Sequence, residues 1–455
     1  MLLSACFQRF VEQSPVSVML RGLVENIFSP QQFDEVFRKN AVLGYTLVLP
    51  FHTVAEVLSE VVFTIAPSVG AALQSRADTL PVTRKAFYNK LNRIEPAVGA
   101  GLVRDSAQRL APVLKALKVR REHQLKGYHT RVLDGNHLAA TEHRLEVLRF
   151  DTAAPLPGQS LVLYDADKQL ATEMIPCEDG HAQERSLLPQ VILLLRKRYL
   201  LIADRNFCTR GFLFGIHRRK ASFIIRYHAG MPYEVIGKKV SKGRTDTGEL
   251  FEQTVLIREA VTGETLRLRM VTLVLFQPTR DKETEIRILT NLPVDAANAQ
   301  KVAELYRGRW TIESMFQELT EHLTCEIRTL GYPRAALFAF SLALTAWNLI
   351  SIIKASLGAV HGEEQVEQHV SGYYLSLEIS QVAQGMQIAI APKNWGVFRE
   401  MDAKQLAEVL KELASHVNLS KYQSHRRGPK KPKPIRHNSG NGEHVATARL
   451  LCPHT

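Results

Sequence analysis

Residues 128–139, YHTRVLDGNHLA, and residues 199–207, YLLIADRNF, decide the fold, because each is a short apolar run that carries an aspartate. Short apolar runs of this kind predict buried strands. The runs LEVLRF (145–150) and SLVLYDA (160–166) lie between them, followed by a helical pattern from Glu184 to Arg198. A helix from about Thr209 to Lys220 and the run SFIIRYH (222–228) come next. This order predicts an α/β protein with a mixed sheet covered by helices.

Composition and hydrophobic periodicity divide the remaining chain into further predicted units. Residues from about 28 to 100 have helical periodicity with Pro breaks, and we expect a helical DNA-binding domain at 28–120, preceded by an N-terminal segment at 1–27. Alternating runs such as ETLRLRMVTLVLF predict a β-strand insertion at 229–292. The α/β domain that carries the two aspartates is then expected at 121–228 and 293–420, and a basic disordered tail at 421–455.

One N-terminal helix is a candidate for DNA recognition. In VTRKAFYNKLNRI (82–94), Thr83 is a plausible N-cap, and Arg84, Lys85 and Lys90 lie away from the apolar positions. The alternative is an ordinary amphipathic surface helix, since a helix-turn-helix has a loose sequence signature.

The charge of the chain favours a polyanionic partner. The formal net charge is +13 and the pI is about 9.5. Nucleic acid is the first candidate and an acidic membrane surface the second. The stretch KYQSHRRGPKKPKPIR (421–436) has seven Lys or Arg and no acidic residue, so much of the excess is local.

Three features bear on the compartment. The five cysteines are odd in number and contain no C-x-x-C pair, which indicates a reduced, cytoplasmic protein. The N-terminal apolar run is interrupted at Gln8 and Arg9, so no signal peptide is expected. The uncharged stretch 335–353 is long enough to span a bilayer, but its Ser, Thr and Asn residues favour a helix buried in a large domain, without a membrane.

The aspartates are the first candidates for chemistry. Asp134 in RVLDGNH and Asp204 in LLIADRNF stand where predicted strands end. Converging carboxylates with substrate phosphates bind Mg²⁺, and a pair of metal ions catalyses in-line phosphoryl displacement. The alternative is that each aspartate only caps the following turn.

A third carboxylate strengthens the case that the first two belong to a metal site. In YRGRWTIESMF, Tyr306, Arg309 and Glu313 are spaced by three and four residues, which places them on one face of a predicted helix. Glu313 would complete a carboxylate triad, while Arg309 and Tyr306 would bind a DNA phosphate. The alternative is a salt bridge between Arg309 and Glu313 within the helix.

These residues resemble the DDE transposases of insertion-sequence family four, whose signature is Tyr, two residues, Arg, three, Glu, six, Lys. The similar blocks, over roughly residues 80 to 350, are LDGNHLAATEHRL, LLIADRNFCTRGFL, FIIRYHAG, ILTNLP and LYRGRWTIESMFQEL. The resemblance implies that Asp134, Asp204 and Glu313 form the catalytic, metal-binding triad and that Tyr306 and Arg309 contact DNA. It further implies a ribonuclease H-like fold, two Mg²⁺ ions for which Mn²⁺ can substitute, recognition of terminal inverted repeats and a homodimeric synapse.

One position departs from the signature. Thr320 stands where the family has Lys, which places a terminal-phosphate contact in doubt. Some family members use a hairpin intermediate and an aromatic residue of the insertion, but Trp310, Trp347 and Trp395 all lie outside it. Tyr233, Phe251 or Phe276 could take the stacking role of that aromatic residue but are as easily core residues, so use of a hairpin is left open.

Other polar residues near the aspartates are weaker candidates. Asp179, His181 and Glu184 superficially suggest a transition-metal site, although a structural role at the start of a helix is the better interpretation, with support for the metals as an open alternative. His137, Glu142 and His143 flank Asp134 and are candidates for contact with DNA or with the metal surroundings.

The leading hypothesis is a transposase that cleaves and transfers DNA strands. A catalytically inactive, transposase-derived DNA-binding protein is the first alternative, and a metal-dependent hydrolase of another phosphoester is the second.

Overall fold

A computed structural model describes residues 3–42, 49–80, 82–119, 124–143, 145–150, 153–259, 262–279, 281–423 and 444–452. Its strands, β1 to β12 in chain order, are His129–His137, Ala154–Leu156, Gln159–Asp165, Leu170–Cys177, Tyr199–Ala203, Ser222–Arg226, Glu234–Val235, Val240–Thr245, Gly248–Arg258, Thr265–Leu275, Glu285–Thr290 and His444–Ala446. Its α-helices, α1 to α17, are Gln8–Gln13, Pro15–Ile27, Pro30–Asn40, Phe51–Val62, Val69–Gln74, Arg84–Leu91, Pro96–Leu117, Leu188–Leu194, Arg210–Arg218, Ala299–Arg307, Trp310–His322, Pro333–His361, Glu363–His369, Gly372–Ala389, Gly396–Arg399, Ala403–Ser415 and Thr447–Leu451. Two of its short 3-10 turns, Glu184–Leu187 and Arg205–Phe207, bear on the candidate site.

One mixed sheet organises the molecule. Its order is β4-β3-β1-β5-β6-β11-β10-β9-β7, and β8 also pairs with β9. Strands β1, β5 and β6 are parallel neighbours, flanked by the antiparallel strands β3 and β11, and β4 pairs antiparallel with β3. The parallel strands are linked through α8 and α9, as parallel pairs require a crossover. The carboxyl ends of β1 and β5 therefore meet at one edge of the sheet.

The sheet separates two hydrophobic cores because successive strand residues point to opposite faces. Val132 of β1 joins the large core built with the N-terminal and C-terminal helices. Its neighbour Leu133 joins the smaller core, which contains α8 and α9. Every residue of β3 is buried, as expected for a strand covered on both sides.

The predicted order of three strands, helix, strand, helix and strand is present. The assignment of one of the first three strands was wrong. LEVLRF is not a strand: residues 146–148 form a 3-10 turn, and Phe150 is 96% exposed. The place at the edge of the sheet belongs to β4, whose polar Thr172 and Glu173 obscured its pattern. Strand β4 is held there by α7 and α12, which pack against it from elsewhere in the chain.

The predicted β insertion contains strands, but they do not form a separate unit. Strands β7 to β11 lie within residues 229–292, and β11 pairs with β6 through Ile288, Leu289 and Thr290. The insertion therefore continues the sheet that carries the two aspartates. Helix α10 packs across β8, β9 and β10.

The N-terminal helices differ from the expected separate domain. Helices α2, α4 and α7 all pack against α12, and their apolar residues belong to the same core. Residues 15–27 of the predicted N-terminal segment are part of this packing because α2 also contacts α14, α15 and α16. Amphipathic periodicity revealed these helices but not their long-range partner.

Part of the predicted tail has regular structure. Residues 424–443 and 453–455, with most of the basic stretch, lie outside the described residues. Of the remainder, β12 pairs in parallel with β2, and Arg449 of α17 lies 2.8 Å from Asp179. The prediction of disorder does not apply to this short segment.

The uncharged stretch 335–353 lies in α12. It is the one helix of the described chain that is long and apolar enough to cross a membrane, and its most apolar window is wholly buried in the protein. The polar Asn348 is satisfied inside this core. Its side chain donates to the carbonyl of Ala171 (2.8 Å) and to Ser106 Oγ (2.9 Å), and accepts from the Ala171 N–H (2.8 Å). A helix side chain thus completes the backbone pairing of an edge strand, and the preference for a core helix is confirmed.

Replacement of Asn348 by leucine should destabilise the fold strongly. The change removes three buried hydrogen bonds and leaves both backbone groups of Ala171 unpaired. We expect the free energy of unfolding in urea to fall by about 3–5 kcal/mol. Ser106→Ala, which removes a single partner, should cost only about 1 kcal/mol. Equal losses in the two variants would contradict this account of β4.

Candidate active site

The two aspartates occupy adjacent positions at one edge of the sheet. In the parallel pair β1 and β5, Leu133 is opposite Ala203, so Asp134 and Asp204 follow directly paired residues. Asp134 lies within β1, and Asp204 begins the 3-10 turn Arg205–Phe207. Ligands of open α/β sheets gather at the carboxyl ends of the strands, which is where both carboxylates lie.

Glu313 reaches the same edge from α11, but the predicted continuous helix is interrupted. Helix α10 ends at Arg307 and α11 begins at Trp310. The junction is a tightened turn in which the N–H of Arg309 donates to the carbonyl of Tyr306 (3.0 Å). Both junction residues keep right-handed helical backbone angles, so the direction of the chain is nearly maintained. Helix α11 packs on β1, which brings Glu313 to Asp134.

Tyr306 and Arg309 connect the three carboxylates. The hydroxyl of Tyr306 donates to Asp204 Oδ1 (3.2 Å). Arg309 Nη1 lies 2.6 Å from Glu313 Oε1 and 3.5 Å from Asp134 Oδ2. All five residues singled out from the sequence in this region are therefore brought together. The expected alternative, a salt bridge between Arg309 and Glu313, is present, and it extends to Asp134.

The Arg309 guanidinium lies inside this cluster rather than facing solvent. The residue is 7% exposed, and its Nε is buried without a hydrogen-bond partner. Its guanidinium carbon lies 5.3 Å from the centre of the Trp310 ring, within the range of a cation–π contact. In this conformation Arg309 compensates carboxylate charge and is not available to a DNA phosphate.

Burial determines the electrostatics of the site. Burial is the main cause that raises the pKa of Asp134 to about 6; Arg309 and the N–H of Gly135 oppose this shift, and nearby Glu313 and Glu184 add to it. Burial, with the adjacent Asp204, also raises the pKa of the Tyr306 phenol, which remains a neutral hydrogen-bond donor. A carboxylate whose anion is this poorly solvated gains from a nearby cation.

The donor set suits a divalent cation, although the carboxylates are not preassembled around one. Within the described residues, no three His, Cys, Asp or Glu residues are close enough to hold a metal ion as they stand. Arg309 lies between Asp134 and Glu313 in the position of a stand-in cation. Oxygen ligands are those that Mg²⁺ prefers, so the residues fit such an ion once the guanidinium moves.

Asp134→Asn should change the pH dependence of stability in metal-free buffer. Because the folded pKa of about 6 lies above the ordinary value of 3.8, the stability associated with the protonated carboxyl is complete below about pH 4 and is lost as the pH rises through 6. The variant lacks this loss, so its advantage over the wild type should grow from pH 4 to pH 7, to at most about 3 kcal/mol. Urea unfolding at several pH values measures it, and a constant difference would contradict the shift.

The other candidates near the aspartates have mostly structural contacts. His143 Nδ1 lies 2.8 Å from the Leu148 carbonyl within its own loop. The N–H of Glu142 donates to the carbonyl of Arg328 (2.9 Å). Asp179 accepts a hydrogen bond from the N–H of His181 (2.9 Å), so Asp179 and His181 stabilise a turn. Asp179 also pairs with Arg449.

Glu184 and His137 lie beside the site, a position that the sequence left open for both residues. His137 Nε2 is 3.8 Å from Glu184 Oε1, and the Glu184 side chain is packed over Gly135, next to Asp134. The contact between Glu184 and Gly135 was not predicted, although a glycine directly after Asp134 was visible in the sequence.

The predicted recognition helix is α6, and Thr83 caps it by accepting from the N–H of Ala86 (3.2 Å). Arg84 and Lys85 are exposed. Lys90 is half-buried with its Nζ 5.4 Å from the centre of the Phe37 ring, and burial lowers its pKa. Contact between this helix and DNA stays a prediction, for which Arg84 and Lys85 are better placed than Lys90.

Comparison with known proteins points to one class of enzyme. Residues 159–349 match the family model described as Transposase DDE domain. The matched part begins after Asp134 and includes Asp204 and Glu313. The mixed sheet and its helices are consistent with a domain of this class, whose members generally use divalent metal ions.

Individual relatives agree with the family model. The putative transposase y4zB of Sinorhizobium fredii is 25% identical over 194 residues, covering 42% of this chain and 52% of the relative. The putative transposase InsL for insertion sequence element IS186A of Escherichia coli is 28% identical, covering 34% of this chain and 51% of the relative. The transposase for insertion sequence element IS421 of Escherichia coli gives the same identity and coverage. The chain spans about half the length of these curated relatives.

Proposed function

We propose that the protein is a DDE transposase that binds the terminal inverted repeats of an insertion sequence, cleaves DNA there and transfers the freed strand to a target. The convergence of Asp134, Asp204 and Glu313, within and beside a segment similar to transposases, supports the proposal most. Double-stranded DNA is its partner, with a second copy of the chain in the synapse. The site of action is the cytoplasm.

The finer assignment to insertion-sequence family four is part of the proposal. It rests on the spacing of Tyr306, Arg309 and Glu313 and on their contacts with the two aspartates. A ribonuclease H-like fold is supported by the order of strands and helices around β1 and β5. Thr320, in place of the signature lysine, is exposed and donates to the carbonyl of Phe316 (2.9 Å). Its neutral hydroxyl cannot replace a cation at a phosphate.

Asp134, Asp204 and Glu313 would hold two Mg²⁺ ions, or Mn²⁺ in their place. Such ions lower the pKa of an attacking water or 3′-hydroxyl and stabilise the leaving oxygen. Tyr306 keeps one oxygen of Asp204 fixed by its hydrogen bond. Arg309 would move from Asp134 and Glu313 to a DNA phosphate, which its planar fork can bind with two hydrogen bonds. Binding of DNA would thereby release the carboxylates.

The direct test is cleavage of DNA that carries the repeats flanking the gene. With Mg²⁺ or Mn²⁺, the protein should cut at the element ends and should leave small phosphate esters intact. Retained binding without cleavage would favour the inactive, transposase-derived alternative, and hydrolysis of the esters would favour the general phosphoesterase. Cleavage undiminished in Asp134→Ala and Glu313→Ala would overturn the assigned site.

A further inference from the structure

Glu184 connects the two strand ends that carry the aspartates. It lies in the 3-10 turn Glu184–Leu187 before α8, and its side chain is 17% exposed. On one side its carboxylate is packed over Gly135, the residue after Asp134. On the other side its Oε2 accepts a hydrogen bond from Asn206 Nδ2, two residues after Asp204. One carboxyl group thus touches both chain segments.

The contact with Glu184 requires a residue without a Cβ at position 135. A Cβ at position 135 would lie within 2.6 Å of Glu184 Cδ and would overlap the carboxylate itself. The other nearby atoms at that position also belong to Glu184, and the glycine does not have the positive φ that would explain it by backbone conformation. The glycine therefore makes room for the Glu184 side chain.

The turn after Asp204 makes two hydrogen bonds with the segment that contains Glu184. Besides the contact with Glu184, the carbonyl of Asn206 accepts from Arg185 Nε (2.7 Å). From the opposite face of the sheet, Tyr306 donates to Asp204 itself (3.2 Å). The Asp204 segment is therefore fixed between α10 and the turn at Glu184. The Glu184 side chain thus lies between the residue after Asp134 and the turn after Asp204.

We propose that Glu184 is a positioning residue for the active site, which sets the spacing of Asp134 and Asp204 through Gly135 and Asn206. The inference rests on the proposed function, since it concerns the carboxylates assigned there to metal binding. Glu184 acts through its shape and its hydrogen bond. Residues that orient metal ligands typically change metal affinity by 10- to 100-fold when removed.

The test uses Mn²⁺ binding to the full chain without DNA, measured by calorimetry, together with the metal concentration for half-maximal DNA cleavage. Glu184→Ala should weaken both by roughly 10-fold or more. Glu184→Gln keeps the shape and can still accept from Asn206, so it should stay within about threefold of the wild type. Gly135→Ala displaces the carboxylate and should resemble Glu184→Ala. Glu178→Gln, at a partly exposed ion pair with Arg334 (3.2 Å), is the matched control and should change neither quantity.

The combined variant Gly135→Ala/Glu184→Ala separates positioning from a general loss of packing. If Gly135 serves only to admit Glu184, the double variant should lose no more metal affinity than either single variant. Additive losses would overturn the proposal. A loss in Glu184→Gln as large as in Glu184→Ala would also overturn it, because Glu184 would then act through its charge, as a direct ligand does.

Failure of this inference is distinguishable from failure of the proposed function. A wild-type protein that neither binds Mn²⁺ nor cuts DNA would reject the function. A wild-type protein that does both, with Glu184→Ala and Gly135→Ala unaffected, would reject only the role of Glu184. Unfolding in urea, recorded for every variant, excludes misfolded samples from the comparison.

Discussion

Asp134→Asn and Glu313→Gln are each expected to lower the rate of DNA strand cleavage by roughly 10³-fold, while binding to element-end DNA is retained. Each change keeps the size of the side chain but removes one carboxylate of the proposed metal site. Stabilisation of the attacking and leaving oxygens in phosphoryl transfer depends on ions held by such groups. The effect should appear in the rate at saturating DNA, because the lost interactions belong to the transition state.

The matched control for Glu313→Gln lies on the same helix. Glu321, two turns further along α11, is exposed and accepts a hydrogen bond from Gln317 (2.7 Å). Glu321→Gln should cleave DNA at close to the wild-type rate. If Glu321→Gln and Glu313→Gln lost activity equally, a general electrostatic effect of α11 would explain the result. If neither lost activity, the assigned triad would be wrong.

Arg309→Met is expected to have the second large effect, on stability and on metal response together. Arg309 is 7% exposed and compensates Asp134 and Glu313, so the variant leaves two partly buried carboxylates without their cation. Removal of one partner from a buried ion pair costs about 3–5 kcal/mol. In metal-free buffer, the free energy of unfolding should fall by an amount of this order.

Added Mg²⁺ should then stabilise Arg309→Met more than the wild type. The metal competes with the guanidinium in the wild type and has no such competitor in the variant. DNA cleavage should nevertheless be lost, because the phosphate contact disappears with the side chain. Arg307→Met, at an exposed residue on the neighbouring turn, should leave stability and metal response unchanged. Equal metal-induced stabilisation of the wild type and Arg309→Met would contradict a competing role for Arg309.

Local sequence patterns were sufficient to predict the strand-end aspartates. Asp134 and Asp204 end short apolar runs, and the pairing of parallel strands then brings the two together. Spacing likewise grouped Tyr306, Arg309 and Glu313, despite the break between α10 and α11. Spacing could not decide which partner Arg309 takes, since a guanidinium suits a phosphate and a carboxylate equally.

The features that sequence analysis missed depend on contacts between distant parts of the chain. Asn348 stands in an apolar helix, and only the packing of α12 on β4 shows why a polar group is tolerated there. Glu184 looked like a helix-start residue until its position over Gly135 was known. The N-terminal helices resembled a separate domain because their common partner, α12, follows more than 200 residues later. Periodicity detects elements but not their neighbours.

The central claim is that the three carboxylates form the metal centre of a DNA-cutting enzyme. Anomalous diffraction from crystals of the protein with Mn²⁺ and uncleavable element-end DNA tests it most directly. We predict Mn²⁺ within about 2.0–2.4 Å of oxygens of Asp134, Asp204 and Glu313, with the Arg309 guanidinium withdrawn from Asp134 and Glu313 and bound to a phosphate. DNA bound with no Mn²⁺ at these carboxylates, and Arg309 still between Asp134 and Glu313, would contradict the account.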